Sequence, residues 1–171
     1  MNSPEPRVLV SVASKHKSTA EIARVIRDRL VGNHIAVDIV PPAVVDSVDD
    51  YDGVILGSAI YWGHWLAPAT DFAIRFASAL AARPVWLFSS GPVGEPSTNK
   101  DPAEVTRIRQ DLPVRGHQMF DGKLDPQALG VVERTSLLAF RGGTRGDFRD
   151  WDAVAQWADE IASNLGALPL R

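Results

Sequence analysis

The stretch Arg7-Val-Leu-Val-Ser-Val-Ala-Ser-Lys-His-Lys-Ser-Thr-Ala20 decides the fold. Its first half, Arg7–Ala13, is a short, β-branched, nearly continuous apolar run. Such a run suits a strand buried on both faces, which belongs in a parallel sheet covered by helices. The polar loop Ser14–Thr19 follows. Then Ile22, Ala23, Ile26 and Leu30 fall on one stripe of a helix over Ala20–Val31, with Glu21, Arg24, Arg27 and Asp28 largely elsewhere. Gly32-Asn33 supplies a helix stop, and His34–Val40 reads as a second strand. The first 40 residues are therefore a strand–helix–strand unit.

The alternation continues outward. Pro41-Pro42 ends the second strand, because proline cannot donate to a ladder. Tyr51–Gly57 is the third strand, and Arg83–Phe88 the fourth. Between them Ala69, Phe72, Ala73, Phe76, Ala77 and Leu80 recur at three- and four-residue steps, predicting a helix over Leu66–Ala81. Residues 101–111 form a further helix, with Asp101 as N-cap and Pro102 at its first position. Gly116–Phe120 is a fifth strand, running on towards Leu124. Trp151, Val154, Ala155, Ala158, Ile161, Ala162 and Leu165 mark a last helix from about Asp150. Strands alternating with helices imply a doubly wound α/β fold: a five-stranded parallel sheet in the order 2-1-3-4-5, helices on both faces. One domain spans residues 1–171, with a frayed tail at 1–6. Only the segment around 125–147 breaks the alternation, as an insertion before the last helix.

Composition narrows the function. An apolar content of 45 % and a charged content of 23 % belong to a folded protein rather than a disordered one. A net charge of −3 gives no global attraction to nucleic acid. Absence of cysteine excludes disulfides, thiol catalysis and thiolate metal sites. His16, His34, His64 and His117 lack metal-ligand spacing, so no metal is expected. No apolar run is long enough to span a bilayer, and the N-terminus has no signal pattern, so the expectation is a cytoplasmic protein.

Ligands of an open parallel sheet bind beyond the carboxyl ends of its strands. Three loops leave those ends. Ser14-Lys-His-Lys-Ser-Thr19 aims hydroxyls, backbone N–H groups and a helix N-terminus at one place, a combination that binds phosphate. The competing reading is that Ser18 or Thr19 merely caps the helix. Ser58-Ala-Ile-Tyr-Trp-Gly-His-Trp65 gathers aromatics that suit a flat ring, and a glycine that lets backbone approach its edge. Of these, Trp65 reads as packing on the next helix, Tyr61 and Trp62 as ligand contacts. Ser89-Ser-Gly-Pro-Val-Gly94 is a rigid turn able to read a ring's polar edge. An NTPase phosphate loop would need glycine at Ser11 and His16, and Phe88-Ser-Ser-Gly91 lacks the leading glycine of a nucleophile elbow. His64 sits beside the ring loop and is the one catalytic candidate.

Val8–Leu30, with its core Ala13–Ala20, resembles the flavodoxins. Gly57-Ser-Ala-Ile-Tyr-Trp-Gly-His64, Asp150-Trp-Asp152 and the preceding insertion are similar to the branch containing the menaquinone-dependent protoporphyrinogen oxidases. The resemblance implies a flavodoxin-like fold and bound flavin mononucleotide (FMN). Ser14, Lys15, His16, Ser18 and Thr19 would hold the phosphate. Ala59, Ile60, Tyr61, Trp62 and Gly63 would line the ring, with Ser90, Gly91 and Gly94 along its other side. The family has glycine where this chain has Lys17. Either Lys17 adopts an ordinary backbone conformation and adds its charge, or the phosphate site is weakened. The resemblance further implies an oxidoreductase working with a redox partner or a quinone- or porphyrin-like molecule. The alternatives are an electron shuttle without a small-molecule substrate, and a domain that has lost its cofactor. The insertion is read as a helix on the sheet edge, or as an apolar platform for substrate, partner or a peripheral membrane contact.

Overall fold

The computed structural model describes residues 5–91, 101–124, 146–147 and 149–167. Strand β1 (Arg7–Ala13) leads into helix α1 (Ser18–Gly32) and strand β2 (Ala36–Ile39), and a 3-10 turn follows at Pro42–Val44. Strand β3 (Gly53–Tyr61) folds back through β4 (His64–Trp65) into α2 (Ala67–Arg75) and α3 (Ala77–Ala81). Then come β5 (Val85–Gly91), α4 (Ala103–Asp111), β6 (Val114–Asp121), β7 (Lys123–Leu124), β8 (Gly146–Asp147) and α5 (Trp151–Gly166).

The main strands pair in parallel in the order β2-β1-β3-β5-β6, the doubly wound order expected of five strands. Two features are additional: β4 pairs antiparallel with the end of β3, and β7 and β8 form a separate antiparallel ribbon. Pleating splits each central strand between two cores. Val8, Val10, Val12, Ile55, Trp86 and Phe88 pack with α1 and α5 through Ile22, Ile26, Leu30, Trp157 and Ile161. Leu9, Val54, Leu56, Val85 and Leu87 pack on the opposite face against Phe72, Leu80, Val105 and Ile108 of α2, α3 and α4. Ser11 falls mid-strand in β1, fully buried, and its hydroxyl donates to the Val40 carbonyl at 2.9 Å.

Several boundaries differ from the sequence expectation. The ends of β3 and β5 read as loop in the sequence, yet the ladder continues through Ser58↔Ser89 and Ala59↔Ser90. The helix expected over Leu66–Ala81 is two helices separated at Phe76, whose φ of −106° and ψ of 16° leave the helical region. α1 closes with His34 at φ 59°, its amide reaching Val31 and that of Ile35 reaching Leu30, a Schellman cap one residue beyond the expected stop. Asp101 does not cap α4; Pro102 holds the N-cap position in extended backbone, and the carboxylate serves His117 and Arg109 instead. Asp150 does cap α5, accepting from the Ala153 amide at 2.9 Å. Trp157, absent from the expected stripe, is buried on Phe88 and Phe120, while Trp151 lies exposed under the Arg149 guanidinium. Gly94 and nearly all of the 125–147 insertion lie outside the described residues.

Gly57 illustrates how tightly the sheet is built. A Cβ there would overlap the Phe88 ring, which Phe120 and Trp157 hold at centroid distances of 6.1 and 6.0 Å. Gly57→Ala is expected to lower unfolding free energy by about 2 kcal/mol through overpacking. Gly116→Ala, where a Cβ meets nothing nearer than 3.9 Å, should cost little. Denaturant titration of the pair checks this, and equal effects would contradict the packing described.

Candidate functional site

The carboxyl ends of β1, β3 and β5 lie side by side through their shared register, so the segments that follow them meet at one edge. After β1, Ser14 is half-buried, and its hydroxyl is shut from solvent with no hydrogen-bond partner among the described residues. Lys17 stands at the N-cap of α1 with φ 64° and ψ −17°. It takes the left-handed conformation that a glycine would take, not the ordinary one that the sequence reading offered as its first alternative. The Ser18 amide bonds the His16 carbonyl at 2.9 Å across it, a tight and strained turn for a residue with a side chain. Among the described residues no side chain caps α1, neither Ser18 nor Thr19. The Ser18 hydroxyl instead accepts from the Lys123 amide at 3.2 Å, and Thr19 is buried. No side-chain oxygen among the described residues accepts from the first-turn amides of the helix, although the Glu21 carboxylate lies in that turn.

The ring-loop candidates divide. Ala59, Ile60 and Tyr61 are the last residues of β3, not loop. Trp62 and Gly63 form a two-residue hairpin, with φ 52° and 80° as its sharp turn demands, and Tyr61 pairs with His64 across it. Tyr61 meets the first loop: the His16 ring lies 6.0 Å from its ring, and Lys15 Nζ lies 5.3 Å from its centre. Trp62 is 70 % exposed, an unusual position for a side chain so apolar. Trp65 is core, as its spacing suggested, and its indole N–H donates to Ser89 Oγ at 2.7 Å. Ser90 is buried at the end of β5, and Gly91 lies between Met119 and Ile60. Gly94 lies outside the described residues. His64 is exposed, its Nδ1 2.8 Å from Glu104 Oε1. Burial pushes the Glu104 carboxyl up, but hydrogen bonds from its own amide, His64 and the Trp65 amide outweigh it and hold the group below its ordinary range.

Sequence reasoning missed a buried chain behind this edge. Ser89 Oγ lies 2.8 Å from His117 Nε2, and His117 Nδ1 lies 3.0 Å from Asp101 Oδ1. Indole N–H can only donate, so Ser89 accepts from Trp65; Asp101 can only accept, so the neutral imidazole carries its proton on Nδ1 and Nε2 accepts from the Ser89 hydroxyl. The distances are those of a nucleophile, base and carboxylate, but Ser89 is wholly buried beneath Trp65. The chain holds the β4 hairpin to β5 and β6 rather than attacking a substrate. No spacing rule reveals it, because its members come from three strands and from the segment just before α4.

Residues 9–149 match the flavodoxin domain family. This chain belongs to that family. No curated protein matches the sequence. Among solved structures, a flavodoxin from the domain Archaea superposes with a TM-score of 0.65 at 12 % identity, covering 94 % of this chain and 99 % of that one. Oxidised flavodoxin 2 from Bacillus cereus gives 0.65 at 20 % identity, covering 92 % and 99 %. The rubredoxin oxygen:oxidoreductase of Desulfovibrio gigas gives 0.60 at 16 %, with 95 % of this chain matching 37 % of that longer one. These identities speak for the fold. The family indicates FMN as cofactor and electron transfer with redox partners as the function. The residues present fit FMN: an orphaned Ser14 hydroxyl and an uncapped helix end suit its phosphate, and the Tyr61–Gly63 hairpin suits its ring. Among the described residues no helix is long and apolar enough to cross a membrane.

His117 makes stability depend on pH. Burial, with its side chain 4 % exposed, lowers its pKa below the ordinary 6.5, against the raising effect of Asp101. The unfolded chain therefore binds the proton first as pH falls. Stability from the neutral imidazole is complete above 6.5 and declines below it, towards the folded His117 value. The carboxylate Glu104 is likewise lowered, but its contribution is lost only below its ordinary 4.5. Wild type should lose more stability than His117→Gln between about pH 7 and pH 5. Parallel pH profiles for the two proteins would refute a buried neutral imidazole.

Proposed function

We propose that this flavodoxin domain is an FMN-dependent oxidoreductase that exchanges electrons with a flat apolar molecule of quinone or porphyrin type. Trp62 carries the proposal: a large aromatic side chain held out at the tip of the hairpin beside the ring-binding strand end. Exposed Met119, close to Gly91 and Ile60, extends the same apolar edge. A net charge of −3 is smaller than the strongly acidic balance that would favour a protein-to-protein shuttle. Oxidation of protoporphyrinogen is the narrower form of the proposal, and it rests on the likeness of Gly57–His64, Asp150–Asp152 and the insertion before the last helix.

In this reading Ser14, Lys15, His16, Ser18 and Thr19 hold the phosphate, through hydroxyls, backbone amides and positive charge. Ala59, Ile60, Tyr61, Trp62 and Gly63 line one side of the ring, and Ser90, Gly91 and Gly94 the other. The bound flavin supplies the redox chemistry, and the chain supplies orientation and polar contacts to the ring edge. His64, exposed next to the hairpin, can give or take a proton at that edge while Glu104 orients its ring.

Purified protein should be yellow or become so on adding FMN, and a colourless protein with no gain in heat stability would sink the cofactor. Tyr61→Ala and Trp62→Ala should each weaken FMN about fivefold, the value of one aromatic contact. The dithionite-reduced protein should be reoxidised by a short-chain menaquinone analogue at a rate insensitive to salt. Reoxidation only by a protein partner, suppressed by salt, would establish the shuttle instead.

Lys17 sharpens the test of the phosphate loop. Its left-handed backbone costs roughly 1 kcal/mol relative to glycine. Lys17→Gly should raise stability by about that amount and leave FMN affinity within a few-fold. Lower stability in Lys17→Gly would show the lysine side chain stabilising its loop by more than the strain it imposes.

A further inference from the structure

Arg149 is the most deeply buried ion in the neighbourhood of the phosphate loop, its side chain 3 % exposed. It immediately precedes the cap of α5. Its Nε donates to Asp147 Oδ1 at 2.7 Å, and Nη2 reaches Asp147 Oδ2. Nη1 donates to Glu21 Oε2 at 2.5 Å and to the Ser18 carbonyl at 3.3 Å. The face of the guanidinium covers Trp151 at 4.3 Å. Four of its five N–H groups are thus engaged with protein oxygens among the described residues.

Its neighbours are what matter. Glu21 lies in the first turn of α1, and Asp147 lies in β8 opposite Lys123 of β7. Lys123 also donates its amide to Ser18 Oγ. Ser18 is therefore gripped twice, its hydroxyl by β7 and its carbonyl by the arginine just beyond β8. A carboxylate in the first turn competes for the same positive helix end that a phosphate would use. Arg149 engages Glu21 and Asp147 together and draws their charge onto itself.

We infer that Arg149 is a positioning residue for the phosphate of FMN. It offsets one of the two negative charges of Glu21 and Asp147 beside the N-terminus of α1 and fixes Ser18, acting through these neighbours rather than on the ligand. This rests on the reading of residues 14–19 as the phosphate site. It adds that the selectivity for a phosphorylated flavin over the same ring without phosphate is set from behind the loop. Consistent with the contact, hydrogen bonding from Arg149 holds the Asp147 carboxyl below its ordinary range. A phosphate monoester carries nearly two negative charges at neutral pH, so uncompensated carboxylates near it act on FMN and hardly on riboflavin.

The test compares FMN and riboflavin binding to full-length protein by quenching of flavin fluorescence, with circular dichroism to establish folding. Arg149→Met should weaken FMN about tenfold more than riboflavin, and Arg149→Lys should lose less. Glu21→Gln, which removes the charge and keeps a side-chain oxygen for Arg149, should tighten FMN about two- to threefold with riboflavin unchanged. Adding Glu21→Gln to Arg149→Met should recover part of the FMN loss. If Arg149→Met does not fold, Arg149→Lys and Glu21→Gln decide. Equal effects on both flavins, or an unchanged FMN-to-riboflavin ratio in every folded variant, would overturn the inference. A wild-type protein with no preference for FMN over riboflavin would instead overturn the phosphate site on which it stands.

Discussion

Burial of β1 on both of its faces is the constraint from which the rest follows. Val8, Val10 and Val12 face α1 and α5, while Leu9 and Ala13 face α2 and its neighbours. A strand so buried has no solvent side, so helices must cover both. Parallel neighbours then require crossovers, and crossovers of one hand send every β-to-α connection out at the same edge. The segments carrying Ser14–Thr19, Tyr61–Gly63 and Ser90–Gly91 converge for that reason, with no attraction between them needed to assemble the site.

What could be read from the sequence is what depends on neighbours in sequence. The Arg7–Ala13 run and the Ile22, Ile26, Leu30 stripe carry their periodicity within a few residues, and both elements are where the pattern puts them. The ends of β3 and β5 were illegible because Ser58, Ala59, Ser89 and Ser90 are small or polar and look like loop. Only their pairing across the sheet, and internal partners for the Ser58 and Ser89 hydroxyls, make them strand. Asp101 shows the same limit. A cap forms locally, but folding brings His117 and Arg109 within reach, and their donors compete more strongly for a carboxylate than one backbone amide does. Arg149 finds Glu21 across 128 positions, a separation at which no motif operates.

Strain is concentrated at the same edge. Lys17 and Trp62 hold positive φ, and so does Gly63. His34 also has positive φ, but there a helix cap with two backbone hydrogen bonds accounts for it. At Lys17 the offsetting interactions come from elsewhere, since the following residue is pinned through both its hydroxyl and its carbonyl. At Trp62 they come from the two pairs of the β3–β4 hairpin and from Glu104, which meets both His64 and the Trp65 amide.

Charged residues accordingly do two different kinds of work. Arg27–Asp28 and Arg7–Asp38 are exposed pairs worth little to stability, whatever their geometry. Asp101, Glu104 and the Glu21–Arg149–Asp147 group instead tie segments distant in sequence to the loops that meet at the sheet edge. Each tie removes freedom from a loop before any ligand arrives, so the ordering cost is met during folding rather than on binding. That division explains why the loops tolerate a lysine where a glycine would be easier. Conformation at the edge is imposed by remote carboxylates and a buried guanidinium, and the local residue has only to submit to it.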